Sequence, residues 1–325
     1  MTAAWASQRE RGNAFWVRLM TFLALSLGRP VALLLLYPTT AYFLATSPLL
    51  RVASRGFLAR ALGRPVRGRD VVRHFWTFSC VVLDRVFLLA GRTGDYRIDM
   101  LGFEPLEQAL AQGRGCLLLG SHLGSFEVMR AIADACPVRT RPLMYRANGG
   151  QLARLWERLN PRLAADVIDI GAPGAMLEVA ESVARGELVG ILADRTPSNQ
   201  KHLFADFFGT PARFPTGPIT LASVLAVPTF LFFGIRVGPR HYRVHLEPFA
   251  DRIVLNGADR HDELRHWIGQ YAARLEAHCR EHPFNWFNFF DFWEGSNEPA
   301  ATDPGGVRAR RVAAARPVRA RDSAA

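Results

Sequence analysis

The stretch Cys116-Leu-Leu-Leu-Gly-Ser-His-Leu-Gly-Ser-Phe-Glu127 joins a short apolar strand, Cys116 to Gly120, to a helix read from Phe126 to Ala135. A continuous apolar run bounded by glycine suits a strand buried on both faces. The same alternation extends to either side. Pro105 to Gln112 reads as helix, Pro142 to Tyr145 as strand, Leu152 to Leu159 as helix and Val167 to Ile170 as strand. Ala175 to Ala184 follows as helix and Leu188 to Ala193 as strand, then a polar loop to Pro215 and a helix ending about Val224. Thr229 to Val237 and Tyr242 to Leu246 make a hairpin about Gly238-Pro239, and a long helix runs from about Asp262 to Arg280. Strands and helices alternating in this way predict an α/β fold: a mixed, largely parallel sheet flanked by helices.

Within the quoted stretch His122 directly follows the strand and Glu127 comes five positions later. Five helical steps of about 100° turn a side chain through roughly 140°, so the two meet only if His122 precedes the helix and Glu127 lies in its opening turns. Gly120 and Gly124 permit such a corner. Backbone N–H groups at that helix start would stabilise an oxyanion, and the positive end of the dipole would keep His122 neutral. Glu127 would then bond the far ring nitrogen and stabilise the imidazolium as it forms. The result is a general-base dyad with no nucleophile of its own. G-S-H-L-G mimics the serine-hydrolase elbow, but His122 occupies the position serine must hold. The competing reading is a strand-end histidine satisfied by ordinary hydrogen bonds.

Cys116, Tyr145, Gly171 and Asp194 are read at or near strand C-terminal ends, the edge at which open α/β sheets bind ligands. Arg146 and Asp194 would thus converge on His122, unless they form a merely structural ion pair.

Upstream, Leu19 to Leu50 carries one charge, Arg29, and includes Val31-Ala-Leu-Leu-Leu-Leu36. About 20 apolar residues cross a bilayer as a helix, so one span fits, with Pro30 and Pro38 kinking or interrupting it. The run is too long for a signal-peptide core and lacks an A-x-A site. Arg51, Arg55, Arg60, Arg64, Arg67 and Arg69 after it outnumber Arg9, Arg11 and Arg18 before it, which places the following domain on the cytoplasmic side. A helix lying in the membrane interface is the alternative. Asp70 to Ala90 reads as an amphipathic helix whose His74 lies at its surface or an interface.

The chain of 325 residues holds 40 basic and 29 acidic side chains, with Lys201 the single lysine. Six of the arginines lie after residue 299, in a stretch without periodicity that is read as a disordered tail. The remaining positive excess suits phospholipid headgroups or an acidic carrier protein. No nucleic-acid-binding motif is present, so no nucleic acid is expected as a partner. The phosphate-loop and dinucleotide fingerprints are also absent. Cys80, Cys116, Cys136 and Cys279 are widely spaced and read as reduced, buried thiols. His278 and His282 stand one helical turn apart, but Pro283 places them at a helix end, where cations complement the dipole, and no metal is expected. His241 and His245 are read as a solvent-facing pair on one strand face.

His122-Leu-Gly-Ser-Phe-Glu127 matches the H-x-x-x-x-[D/E] motif of the glycerolipid and lysophospholipid acyltransferase superfamily. The wider pattern resembles its lipid A late acyltransferase branch. Met144-Tyr-Arg-Ala-Asn148, Ile191-Leu-Ala-Asp-Arg195, Phe207 to Pro218 and the aromatic close His282 to Trp293 follow in order. This resemblance implies His122 as catalytic base and Glu127 as its orienting carboxylate. It makes Arg146, Asp194 and Arg195 substrate-binding residues, with Arg195 a departure from the polar or acidic residue usual there. Asn288 and Asp291 depart from the basic ending of lipid A enzymes and look more like acyltransferase-like proteins of aryl-polyene pigment pathways. No cofactor is implied; acyl carrier protein or CoA thioester is the donor substrate, and a membrane lipid or glycolipid the acceptor. The implied organisation is an N-terminal membrane anchor over residues 1–52, an acyltransferase domain over 53–298, and the tail over 299–325. The bacterial inner membrane, with the catalytic domain on its cytoplasmic side, is the implied location. A catalytically silent membrane scaffold is the rival reading.

Overall fold

The apolar run beginning at Cys116 forms the centre of a seven-stranded sheet in the computed structural model, which describes residues 14–129, 132, 138–145, 159–196, 200–257 and 259–294. The strands are β1 (Arg97–Leu101), β2 (Cys116–Gly124), β3 (Thr140–Met144), β4 (Ile168–Asp169), β5 (Leu188–Leu192), β6 (His202–Phe207), β7 (Thr210–Pro215), β8 (Thr229–Gly238) and β9 (His241–Ala250). The order across the large sheet is β1-β9-β8-β2-β5-β3-β4. Every neighbouring pair is parallel except the β8–β9 hairpin. The expected mixed, largely parallel sheet is therefore present. Cys116 opens β2 rather than ending a strand, so it lies far from the C-terminal edge.

The helices are α1 (Ala14–Thr46), α2 (Pro48–Leu62), α3 (Gly68–Leu89), α4 (Glu104–Ala111), α5 (Pro161–Asp166), α6 (Ala175–Ala184), α7 (Gly217–Leu225) and α8 (Arg260–Glu281). They cover both sheet faces, which is why the central strands are apolar without alternation. Leu117, Leu119, Val189, Ile191 and Phe233 pack on one side against α2, α6, α7 and α8. Leu118, Leu188, Phe230, Phe232 and Val244 pack on the other against α1, α3 and α4. The stretch read as a polar loop before Pro215 contains the two-stranded β6–β7 hairpin. Its two-residue turn holds Phe208 and Gly209 at φ 59° and 72°, a conformation in which Phe is costly. The backbone N–H of Phe208 is bound by the Glu276 carboxylate of α8. The tail, Cys136 and most of the helix read over Leu152 to Leu159 lie outside the described residues.

Of the two prolines expected to interrupt α1, the first does so, and the helix runs on through Pro38. Pro30 has no N–H and its ring collides with the carbonyl four residues back; the chain turns out of the helix at Gly28, at φ 81° and ψ 172°. Arg18–Thr46 is still the one helix among the described residues long and apolar enough to cross a membrane. It is docked along α3 rather than standing apart. Arg29 forms a buried ion pair with Asp84 at 2.9 Å, Tyr37 stacks on Trp76 at 4.5 Å, and Thr40 donates to Ser79 at 2.9 Å. Asp84 is fully buried and also accepts from Tyr96 (3.1 Å), Tyr242 (3.0 Å) and Arg236 (3.5 Å). The anchor boundary expected at residue 52 falls inside α2, whose Phe57 and Leu58 join the core of the main sheet.

Candidate active site

Strands β2 and β5 run side by side and parallel, with Gly120 opposite Leu192. Two residues further along each chain come His122 and Asp194. The register thus delivers an imidazole and a carboxylate to the same place at the C-terminal edge of the sheet. His122 Nδ1 lies 2.7 Å from Asp194 Oδ1, and the His122 backbone N–H donates to Oδ2 at 3.0 Å.

The chain around His122 differs from the expected strand-to-helix corner. Strand β2 continues to Gly124, and the first turn after it, Phe126–Met129, is 3-10; apart from residue 132, which is helical, the rest of the helix read to Ala135 lies outside the described residues. Between Gly120 and Gly124 the register against β8 shifts, four residues of β2 matching two of β8. Such a bulge turns side chains out of the sheet's regular alternation. The released backbone is taken up by the aromatic close: Phe287 N–H donates to His122 O at 2.9 Å and Gly124 N–H to Asn285 O at 2.8 Å. Gly124, at φ 77°, has no room for a side chain; a Cβ would stand 1.9 Å from the Gly234 carbonyl oxygen.

Asp194 is wholly buried and receives two further donors, Trp286 Nε1 at 3.0 Å and Asn288 Nδ2 at 2.9 Å. Burial alone would raise its pKa. The charges of His122 and Arg195 and the hydrogen bonds from His122 reverse this and hold it at about 2. An ionised Asp194 makes Nδ1 of His122 the protonated nitrogen and leaves Nε2 with its lone pair. Among the described residues Nε2 makes no hydrogen bond, and the His122 side chain is 26% exposed. Its pKa lies below the ordinary 6.5, chiefly through desolvation and then the Arg195 charge, with Asp194 opposing. The neutral, proton-accepting form therefore prevails at neutral pH.

Glu127 is not the partner of His122, contrary to the dyad expected from the spacing. Its carboxylate lies 2.6 Å from Arg85 Nε of α3 and accepts from Ser125 Oγ at 2.8 Å. The physical reason is that β2 stays extended past His122 and places Glu127 in the next turn, facing α3. Arg85 nonetheless acts on the site, since its charge helps to lower the His122 pKa. Arg195 donates to Asn288 Oδ1 at 2.7 Å and to Phe287 O at 3.1 Å. Burial lowers its pKa to about 10, so it stays cationic at neutral pH. Arg146 lies outside the described residues.

The structure thus brings His122, Asp194 and Arg195 together, and adds Arg85, Trp286 and Asn288, which sequence reasoning missed as site residues. The aromatic close was visible as a pattern, but its donors to Asp194 were not. Trp286 is also core, fully buried against Phe57, Phe207 and Phe292. His74, expected at a helix surface or interface, is fully buried. Its Nε2 lies 2.8 Å from the Trp286 carbonyl, which can only accept, so Nδ1 accepts from Ser54 at 2.9 Å. Burial depresses its pKa to about 4, and it serves to seat Trp286.

Fold and site together define an α/β protein with an accessible histidine held by a buried carboxylate. The pattern of the family described as Bacterial lipid A biosynthesis acyltransferase matches residues 78–294, more than half of the chain, and the chain belongs to that family. Membership makes it an acyltransferase directed at lipid-type acceptors. No curated protein matches the chain.

Proposed function

We propose that the protein transfers a fatty acyl group from a thioester of acyl carrier protein or CoA directly to a hydroxyl of a membrane lipid or glycolipid. The observation that carries this reading is His122, with Nδ1 fixed on a buried carboxylate and Nε2 free. Nε2 takes the proton of the acceptor hydroxyl, the oxygen forms a bond to the thioester carbonyl carbon, and the C–S bond breaks. The imidazolium then returns its proton to the departing thiolate, so no acyl-enzyme forms. Arg195 and Arg85 supply positive charge beside the developing oxyanion, and Arg146 is assigned to a phosphate of acceptor or carrier. The test is transfer from labelled acyl carrier protein and acyl-CoA to lipid A precursors and to other lipid alcohols, with His122→Ala as control. Transfer undiminished in His122→Ala, or an acyl-Ser121 adduct, would overturn it.

The pH dependence follows from the direction of the His122 shift. The active form is unprotonated, so kcat/KM should be level through pH 7 and decline only below 6.5, with an acid-limb pKa under that of free imidazole. A limb above 6.5 would assign the titration to another group.

We further read the protein as lying on the cytoplasmic face of the bacterial inner membrane without crossing it. Helix α1 touches α3 at Arg29, Tyr37 and Thr40. A span by α1 would therefore draw Asp84 and the rest of α3 into the bilayer. Phe22, Leu34, Tyr42, Leu49 and Val52 remain exposed along α1 and α2, a face suited to the acyl boundary. Because apolar burial is not screened by ions, the full chain should stay with membranes in high salt. Leu34→Glu with Leu49→Glu should shift it to the supernatant. Salt release of the unaltered chain would show that attachment is electrostatic.

A further inference from the structure

On β9, His245 and Glu247 are two residues apart and share the sheet face that α8 covers. The last turns of α8 bring His278 and Arg274 onto them. His245, Glu247 and His278 each place one ligand atom within 4.8 Å of the others. The rings of His245 and His278 are 4.8 Å apart, and that of His282, just past the helix end, is 6.4 Å from His245. One member of the pair read on β9, His245, thus meets both members of the pair read at the end of α8, with Glu247 among them, while His241 turns instead to Asp99 at 2.7 Å.

The hydrogen bonding of this cluster is incomplete. His278 is 5% exposed, and its Nδ1 is buried without a hydrogen-bond partner, as is Nε2 of His245, while Nε2 of His282 has the Glu281 carboxylate at 3.4 Å. Buried imidazole nitrogens left unpaired are costly, and a nitrogen lone pair enclosed beside others is what a soft cation satisfies. Glu247 meanwhile accepts from His278 at 2.7 Å and from two nitrogens of Arg274 at 2.8 Å each. An ion between His278 and Glu247 would take the place of their hydrogen bond, with Arg274 left behind the carboxylate as the outer partner that orients it.

We propose that His245, Glu247 and His278 form a binding site for a divalent transition-metal ion, zinc by its imidazole–carboxylate donor set, with His282 beside the fourth position. The site is distinct from His122 and its role is structural. It pins the end of α8 to β9 just ahead of Asn285, Trp286 and Asn288, the segment that pairs with β2 and reaches Asp194. Nickel or cobalt would fit the same donors more loosely in geometry; magnesium and calcium, which demand oxygen, would not.

The test is metal content and zinc affinity of the full-length, untagged protein in detergent, after exposure to zinc and removal of the excess. One zinc per chain is expected, together with a rise in thermal stability that magnesium does not reproduce. His245→Ala, at a half-buried ring, should remove the stoichiometric zinc, and Arg274→Ala should weaken binding about 10–100-fold through Glu247. His261→Ala and His266→Ala, on the exposed part of α8, should leave it unchanged. If His245→Ala unfolds, Glu247→Gln gives the same reading with volume retained. Zinc-free wild type under these conditions would overturn the proposal, showing only a buried ion-pair cluster. Zinc retained at full stoichiometry in folded His245→Ala or Glu247→Gln, or lost in the exposed-histidine variants, would also overturn it.

Discussion

Asp194→Asn should lower acyl transfer about 10²–10⁴-fold, close to the loss on His122→Ala, because each removes half of one base. Asparagine keeps the volume but turns an NH2 toward one of four donors that all need an acceptor. It also withdraws the charge that raises the His122 pKa and fixes its tautomer. What remains of the activity should therefore show its acid limb at still lower pH than in the unaltered enzyme. Glu127→Gln separates the two carboxylates. It should lower the rate through Arg85 and leave the acid limb in place, since Glu127 bonds Arg85 and Ser125 rather than the ring. Rates and pH profiles in matched membrane preparations decide it; an acid limb that moves with Glu127→Gln and stays with Asp194→Asn would reverse the assignment. Thermal unfolding of each variant guards against a loss that is only structural.

The largest effect on stability is expected at Asp84. This carboxylate is fully buried and answers Arg29, Arg236, Tyr96 and Tyr242 from four separate parts of the chain. Asp84→Asn leaves two guanidinium groups inside the protein without a counter-charge, a change that typically costs about 3–5 kcal/mol. The loss should appear as a marked fall in the thermal midpoint in detergent, and α1 should become protease-sensitive as its anchor on α3 is lost. Near-normal stability would mean that water reaches Arg29 and Arg236. A double replacement, Arg29→Met with Asp84→Leu, should recover part of the loss, because an apolar pair avoids the burial of charge even though Arg236 stays unpaired.

Much of the architecture can be read from local pattern. The helices Ala175–Ala184 and Arg260–Glu281 and the β8–β9 hairpin follow from periodicity and turn residues, which act over a few positions. The β6–β7 hairpin escapes that reading, because its turn carries Phe208 in a left-handed conformation whose N–H is answered by Glu276, 68 residues away. His74 escapes it for a like reason: amphipathic spacing does not reveal that α2 and the aromatic close cover the same side of α3.

The amino-acid sequence by itself determined the α/β alternation, the break in α1 beside Pro30, His122 as the candidate base, and the likeness to lipid acyltransferases. These rest on neighbours in the chain: period, proline and glycine geometry, and a histidine at the end of an apolar strand. Only the tertiary structure decided which carboxylate serves that histidine. Glu127 is five residues away and faces Arg85, whereas Asp194 is 72 residues away and touches the ring. The reason is register: parallel pairing of Gly120 with Leu192 carries His122 and Asp194 to one edge together, and strand pairing is set by the packing of whole sheet faces, not by distance along the chain.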